Sequence, residues 1–179
     1  KKPLATEVDF TTFTSRRYGD TQNFDLAPLK PCRFVAASES SKYESLNTAT
    51  IKRLTGGNEI YCAFKHQDHF SYRPQFKVWL SSNHPVKADP DDDAAWYRCH
   101  VIHFPNCYAG TEDKQLKRRL RKPATLRGVL RWAVAGAIAW YGRGAKGLHA
   151  PAQVRQDTEE HRHRLDYVQQ WLDECVTEA

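Results

Sequence analysis

Two polar residues stand directly behind short apolar runs. Glu39 follows Arg33-Phe-Val-Ala-Ala37 and Ser38, and Asn83 follows Phe76-Lys-Val-Trp-Leu80 and a pair of serines. Both runs read as strands with polar C-terminal ends. Ligands of α/β sheets bind at the carboxyl ends of strands, so neighbouring strands would bring this carboxylate and this amide to one ligand. A second constellation, Cys99-His100-x-x-His103-x-x-x-Cys107, places four potential zinc ligands within nine residues. If Val101 to Phe104 is a strand, His100 and His103 point to opposite faces, which spoils a shared tetrahedral site. His66-x-x-His69 offers two ligands at best, and the imidazoles of His161-Arg-His163 diverge on a helix. Cys32, Cys62 and Cys175 read as core or surface thiols, and no Ser or Cys has the setting of an activated nucleophile.

The elements that must hold these residues follow from periodicity. Between the two strand candidates, Glu44 to Leu54 carries Leu46, Ile51 and Leu54 at helix-compatible spacing, and Gly56-Gly57 stops it. Ile60 to Phe64 and Phe70 to Tyr72 flank the polar tip Lys65-His-Gln-Asp-His69, the pattern of a hairpin. Val101-Ile102 with Phe104 suggests one more strand. Beyond Gly110 the period changes, and Glu112 to Lys122, Ala124 to Tyr141 and Pro151 to Cys175 read as helices, with Pro123 and Pro151 near starts.

The chain of 179 residues is long enough for one ordinary domain or a large piece of a bigger one. With 40% hydrophobic and 27% charged residues it is globular in composition. The longest apolar run, Trp132 to Gly142, is half the length a bilayer-spanning helix needs and is bracketed by Arg131 and Arg143. No membrane span is expected. The first residues lack the apolar stretch of a secretory signal, so the five cysteines read as reduced thiols in a cytoplasmic protein. There is no methionine, and the chain is expected to be a fragment.

The net charge of +6 points to nucleic acid or another polyanion. Its distribution is more informative than its sum. Lys114 to Lys146 holds ten basic residues and no acid, whereas from Arg155 onward seven acids face three bases. Lys117, Arg118 and Arg121 cluster on one helical face, so a non-catalytic basic nucleic-acid-binding module is the alternative to an enzyme.

Five segments in order carry a resemblance: Asn23-Phe-Asp-Leu-Ala-Pro-Leu29, Arg33-Phe-Val-Ala-Ala-Ser-Glu39, Ile51-Lys-Arg-Leu-Thr-Gly-Gly-Asn-Glu-Ile60, Phe70 through Trp79 to Asn83-His84, and Asp93-Ala-Ala-Trp-Tyr-Arg-Cys-His-Val-Ile-His-Phe104. Together they resemble the superfamily 3 helicase core of phage and plasmid primase-helicases, the satellite-phage and poxvirus primase type, from about Phe10 to Cys175. The resemblance implies an α/β fold, the C-terminal part of a P-loop NTPase sheet of AAA+ type followed by a helical extension. Residues 1–110 would be a partial ATPase core and residues 111–179 a helical subdomain. It also implies ATP and Mg²⁺ as cofactors, and a homo-oligomeric, hexameric ring acting in DNA replication with single-stranded DNA in its channel.

The resemblance assigns roles residue by residue. Glu39 matches the acidic end of the Walker B strand, where a carboxylate holds Mg²⁺ through water or orients the attacking water. Ser38 stands where many NTPases carry a second acid, which leaves both tasks open. Asn83 matches the sensor amide that touches the γ-phosphate or the lytic water. Arg98 matches the arginine finger, which acts on a neighbouring subunit's phosphoryl group, although Tyr97 replaces the first Arg of the usual pair. Lys52 belongs to the motif leading into the pore hairpin, and Lys65 and His66 at its tip would grip the DNA backbone. No Gly-x-x-x-x-Gly-Lys-Ser/Thr loop occurs in the sequence, and the family carries that loop upstream of Phe10. The fragment alone is expected to bind ATP poorly.

Overall fold

The structure, a computed structural model, describes residues 3–14, 24–38, 45–144 and 149–175. Strand β1 (Ala5–Asp9) leads into a 3-10 turn at Phe10–Phe13, and a second 3-10 segment, Phe24–Leu29, precedes β2 (Phe34–Ser38). Helix α1 (Thr48–Thr55), strands β3 (Ile60–Ala63), β4 (His69–Tyr72) and β5 (Lys77–Ser81), and the short helix α2 (Asp93–Trp96) follow. The remaining elements are helical: α3 (Leu116–Leu120), α4 (Pro123–Gly142), α5 (Ala152–His163) and α6 (Tyr167–Cys175). The architecture is mixed α/β with a small parallel sheet.

That sheet has the order β1-β2-β5 with both pairings parallel, and β3 and β4 form a separate antiparallel hairpin. Alternation sorts the sheet's side chains by face. Val35 and Ala37 are buried, with Val8, Val78 and Leu80 packed against the same core. The other face carries Phe34, Ala36 and Trp79, and the Phe34 and Trp79 rings stack at 6.0 Å while remaining about half exposed. The core is completed by Phe10 and Phe13, by Leu26 and Leu29, and by Ile51 and Leu54 of α1. Burying each of these large apolar side chains contributes about 2 kcal/mol.

Helix α1 shows how local sequence sets its bounds. The Asn47 side chain accepts from the Thr50 N–H at 2.9 Å, satisfying an orphan donor of the first turn. Ile51 and Leu54 fall on the buried side. At the far end, a Cβ on Gly56 would lie 2.7 Å from the Lys52 carbonyl oxygen, and Gly57 has a φ of +76°. Only glycine fits both demands without strain.

The chain divides into two compact units, one of Lys1–His100 with Thr158–Ala179 and the other of Val101–Asp157. In the first, the C-terminal part of α5 packs on the segment after β5: the His161 ring lies 5.8 Å from Trp96, and Arg162 donates to the Pro90 carbonyl and to Asp93, both at 2.6 Å. In the second, α3 precedes α4, whose large apolar residues, among them Leu130, Trp132 and Ile138, are exposed.

Several expectations are corrected. Val101 to Phe104 is not a strand: it joins neither of the two sheets. The helix expected over Glu112 to Lys122 shrinks to Leu116–Leu120: Asp113 accepts from the Gln115 N–H and pairs with Arg119, which fixes a turn before it. The helix expected from Pro151 to Cys175 is two, broken after His163, where the Asp166 carboxylate accepts from the Gln169 N–H and starts α6. Strand β1 and both 3-10 segments had no counterpart in the sequence reading. No helix among the described residues is long and apolar enough to cross a membrane.

Candidate functional site

Strands β2 and β5 are adjacent and parallel, with Ser38 opposite Ser81 in register. The two hydroxyl oxygens lie 3.2 Å apart, a hydrogen bond across the strand ends. Both strands therefore finish at the same end of the sheet. Glu39 itself lies outside the described residues, so its side chain is not placed. Asn83 is two residues past the end of β5, exposed, and makes no hydrogen bond among the described residues.

The turn that presents Asn83 is defined by its neighbours. The Ser82 hydroxyl donates to the His84 carbonyl at 2.6 Å and accepts from the His84 N–H at 3.0 Å, so the chain folds back with Asn83 at the apex. Downstream the segment is tied on two sides. The Lys87 carbonyl accepts from the Leu46 N–H at 2.8 Å, and the Val86 carbonyl lies 2.9 Å from Nε2 of His161. A carbonyl can only accept, so Nε2 carries the proton in this contact.

The third strand end adds a residue that the sequence reading missed. Asp9 closes β1, in register with Ser38, and its carboxylate accepts from the N–H and the hydroxyl of Thr11 at 2.9 and 2.6 Å. Those bonds, the hydroxyl first, hold its acidity below the usual carboxylate range. The Asp-x-Thr spacing was the available signal for such a cap.

Arg98 is exposed just past α2, and its guanidinium donates to the Ala94 carbonyl. Among the described residues no hydrogen bond or ion pair joins it to Asn83. Lys52 is engaged elsewhere: its ammonium is 2.6 Å from a carboxylate oxygen of Asp92. Asp92 in turn caps α2 by accepting from the Ala95 N–H at 3.1 Å. The Lys52 hydrogen bond, followed by one from Thr48, holds the Asp92 carboxyl below its ordinary range. This pair ties α1 to α2, which is a structural task for Lys52.

Lys65 and His66 occupy the tip of the β3–β4 hairpin, both exposed. The Gln67 N–H donates to the Phe64 carbonyl at 3.0 Å and closes the turn, and His66 holds a φ of 62°. A left-handed backbone costs a non-glycine residue about 1 kcal/mol. The hairpin's inner side is anchored in the core, with the Tyr72 hydroxyl donating to the Leu26 carbonyl at 2.6 Å and the Lys30 ammonium 4.7 Å over the Phe70 ring.

The Cys and His cluster does not assemble. Among the described residues no group of three or more His, Cys, Asp or Glu is placed to hold a metal ion. The strand premise used against zinc fails, but Cys99 has its own obstacle: burial, then the Asp92 charge, push its thiol pKa up and disfavour the thiolate a metal needs.

Residues 3–99, more than half of the chain, match the profile of a family of unknown function, DUF5906, and the chain belongs to that family. A particular relative is the protein named "Putative helicase L207/L206" of Acanthamoeba polyphaga mimivirus, 24% identical over 182 residues. The aligned region takes in 92% of this chain and 19% of that protein, so the chain spans about a fifth of the relative's length. The relation to this putative helicase is therefore distant.

Proposed function

We propose that this chain is part of an ATP-dependent DNA helicase or primase-helicase that hydrolyses ATP at subunit interfaces and translocates on DNA. The observation that carries the reading is the parallel adjacency of β2 and β5, whose last residues, Ser38 and Ser81, lie side by side just ahead of Glu39 and Asn83 in the sequence. The distant likeness to a viral helicase and the net charge of +6 support the same direction. The P-loop NTPase fold belongs to this proposal.

The residues present fit one side of a nucleotide site. At the strand ends stand an exposed Asn83 amide with no partner among the described residues and a hydroxyl pair, and Glu39 follows Ser38 in the sequence, which contains no phosphate-binding loop. In the complete protein Glu39 and Asn83 would line the nucleotide, with Glu39 on the metal or the water. A bound Mg²⁺ would supply charge neutralisation at the phosphates. Asn83 would orient the lytic water or touch the terminal phosphate, and Arg98 would reach into the adjoining subunit's site. Lys65 and His66 would contact DNA in the channel of a homo-oligomeric, hexameric ring.

Nucleic-acid-stimulated ATP hydrolysis by the intact parent protein tests this. Glu39→Gln should abolish turnover while sparing nucleotide binding, and wild-type-like turnover would remove Glu39 from the mechanism. Mixed rings separate action in trans from action in cis: Arg98→Ala subunits should depress activity more steeply than their fraction.

A second reading rests on a separate observation. Every described cation from Lys114 to Arg143 is exposed, and among the described residues only Arg119 of these has a carboxylate partner, Asp113. Such a surface suits a nucleic-acid-binding module without catalysis. Salt-dependent binding of single strands with no nucleotide effect in the intact protein would favour it.

A further inference from the structure

We propose that the exposed apolar face of α6 docks on the exposed apolar stripe of α4 in a second copy of this chain. The inference rests on the homo-oligomeric part of the proposed function and deepens it by naming the two surfaces that meet.

Each surface follows from residue spacing. On α4, Leu126, Leu130, Val134, Ile138 and Tyr141 recur every three or four residues and therefore share one side of the helix. None of them is buried, and Tyr141 keeps 75% of its surface exposed. On α6, Tyr167, Val168, Trp171 and Leu172 also fall on one side. All four are exposed, Tyr167 by 72% and Trp171 by 59%. The start of α6 is fixed on the end of α5: the Asp166 carboxylate accepts from the Gln169 N–H at 2.9 Å, and the Gln170 side chain donates to the His163 carbonyl at 2.8 Å.

Area and charge together select the occupant. With about 200 Å² for a large aromatic side chain, the α6 face offers on the order of 500 Å², and a matched pair of faces removes about 1,000 Å² from water, which is what a specific interface requires. Exposed apolar patches of that size mark interaction surfaces. Pairing α4 with its own copy would crowd cations, because Arg127 and Arg131 border the stripe and the sequence from Lys114 to Lys146 holds ten basic residues and no acid. Pairing α6 with its own copy would crowd acids, because from Arg155 onward seven acids face three bases. Of the three pairings only α6 on α4 joins opposite signs. Both faces are exposed within a single chain, so the contact is made between chains. A contact between unlike surfaces is heterologous, the type that can close into a ring.

Sedimentation velocity of the 179-residue chain under reducing conditions tests the contact, with Trp79→Lys in every sample to keep the exposed outer face of the parallel sheet out of the measurement. With both helices unaltered, the chain should associate as its concentration rises from micromolar to millimolar. Trp171→Ala should weaken that association roughly tenfold. Two double variants separate the surfaces: Tyr167→Asp with Trp171→Asp spoils α6, and Leu130→Asp with Ile138→Asp spoils α4. Each should stay monomeric alone. Their mixture should form a complex with one chain of each, because the first keeps an intact α4 and the second an intact α6. Far-UV circular dichroism of each variant verifies that the helices are retained. Self-association of either double variant, a mixture without a complex, or a monomeric chain with both helices unaltered would overturn the contact. The ring is judged apart, by sedimentation of the intact parent protein with ATP: rings that survive both double variants would leave the homo-oligomeric reading standing without this contact.

Discussion

The imidazole Nε2 of His161 lies 2.9 Å from the carbonyl oxygen of Val86, seventy-five positions earlier in the chain. This bond and the ring contact with Trp96 pin the C-terminal part of α5 to the segment that runs on from Asn83. His161→Ala should cost about 1–2 kcal/mol, since it removes one hydrogen bond and leaves a partly buried carbonyl unpaired. Urea unfolding followed by far-UV circular dichroism measures it, and an unchanged midpoint would mean that Arg162 alone holds the contact.

Tyr72 links the hairpin to the turn at Leu26, and replacing it with Phe should destabilise the fold by about 1 kcal/mol. Burial first, then the neighbouring Cys62 and Cys32, push the Tyr72 phenol pKa up. The folded state therefore keeps its proton where the unfolded chain, near the ordinary value of about 10, gives it up. Stability from this group is complete below that value and falls as pH rises through it. Alkaline unfolding curves for wild type and Tyr72→Phe should converge above about pH 10.

Asp92 works at the other end of the scale. Its folded pKa is lowered by the Lys52 hydrogen bond above all, so the bond stabilises the protein above the ordinary carboxylate range and is lost as pH falls through the folded value. Asp92→Asn should lower the melting temperature at neutral pH and flatten its decline in acid. A parallel downward shift at every pH would show that the cap on Ala95 matters and the charge does not.

His66 sits in a conformation that favours glycine. His66→Gly should relieve the strain and raise stability by up to about 1 kcal/mol, less the added freedom of the unfolded chain. The same change should weaken binding of a labelled single-stranded oligonucleotide, measured by fluorescence anisotropy. Stabilisation without loss of binding would mark the imidazole as dispensable.

What the sequence reveals depends on how local the cause is. Phe34 to Ala37 and Val78 to Leu80 are unbroken apolar runs, and the polar tip from Lys65 to Asp68 interrupts two β-rich segments, so these elements are legible. The two strand candidates ahead of Glu39 and Asn83 are indeed parallel neighbours, β2 and β5. Strand β1 was not legible, because Ala5-Thr-Glu-Val-Asp9 has one large apolar residue and becomes a strand only through its pairing with β2. Val101 to Phe104 shows the converse: suitable residues with no strand to pair with among those described. The Lys52 and Asp92 pair was invisible for the same reason, as forty positions separate two residues that meet only after folding.

The outer surface of the parallel sheet has a practical consequence. Sheets of this kind are ordinarily covered on both sides, yet Phe34 and Trp79 lie half exposed, and β5 is an edge strand with no further partner among the described residues. A purified sample of the chain should grow turbid as protein concentration rises. Ammonium sulfate should worsen the turbidity and low ionic strength should not cure it, since hydrocarbon rather than charge drives the clumping. Placing a lysine at Trp79 should keep such samples clear.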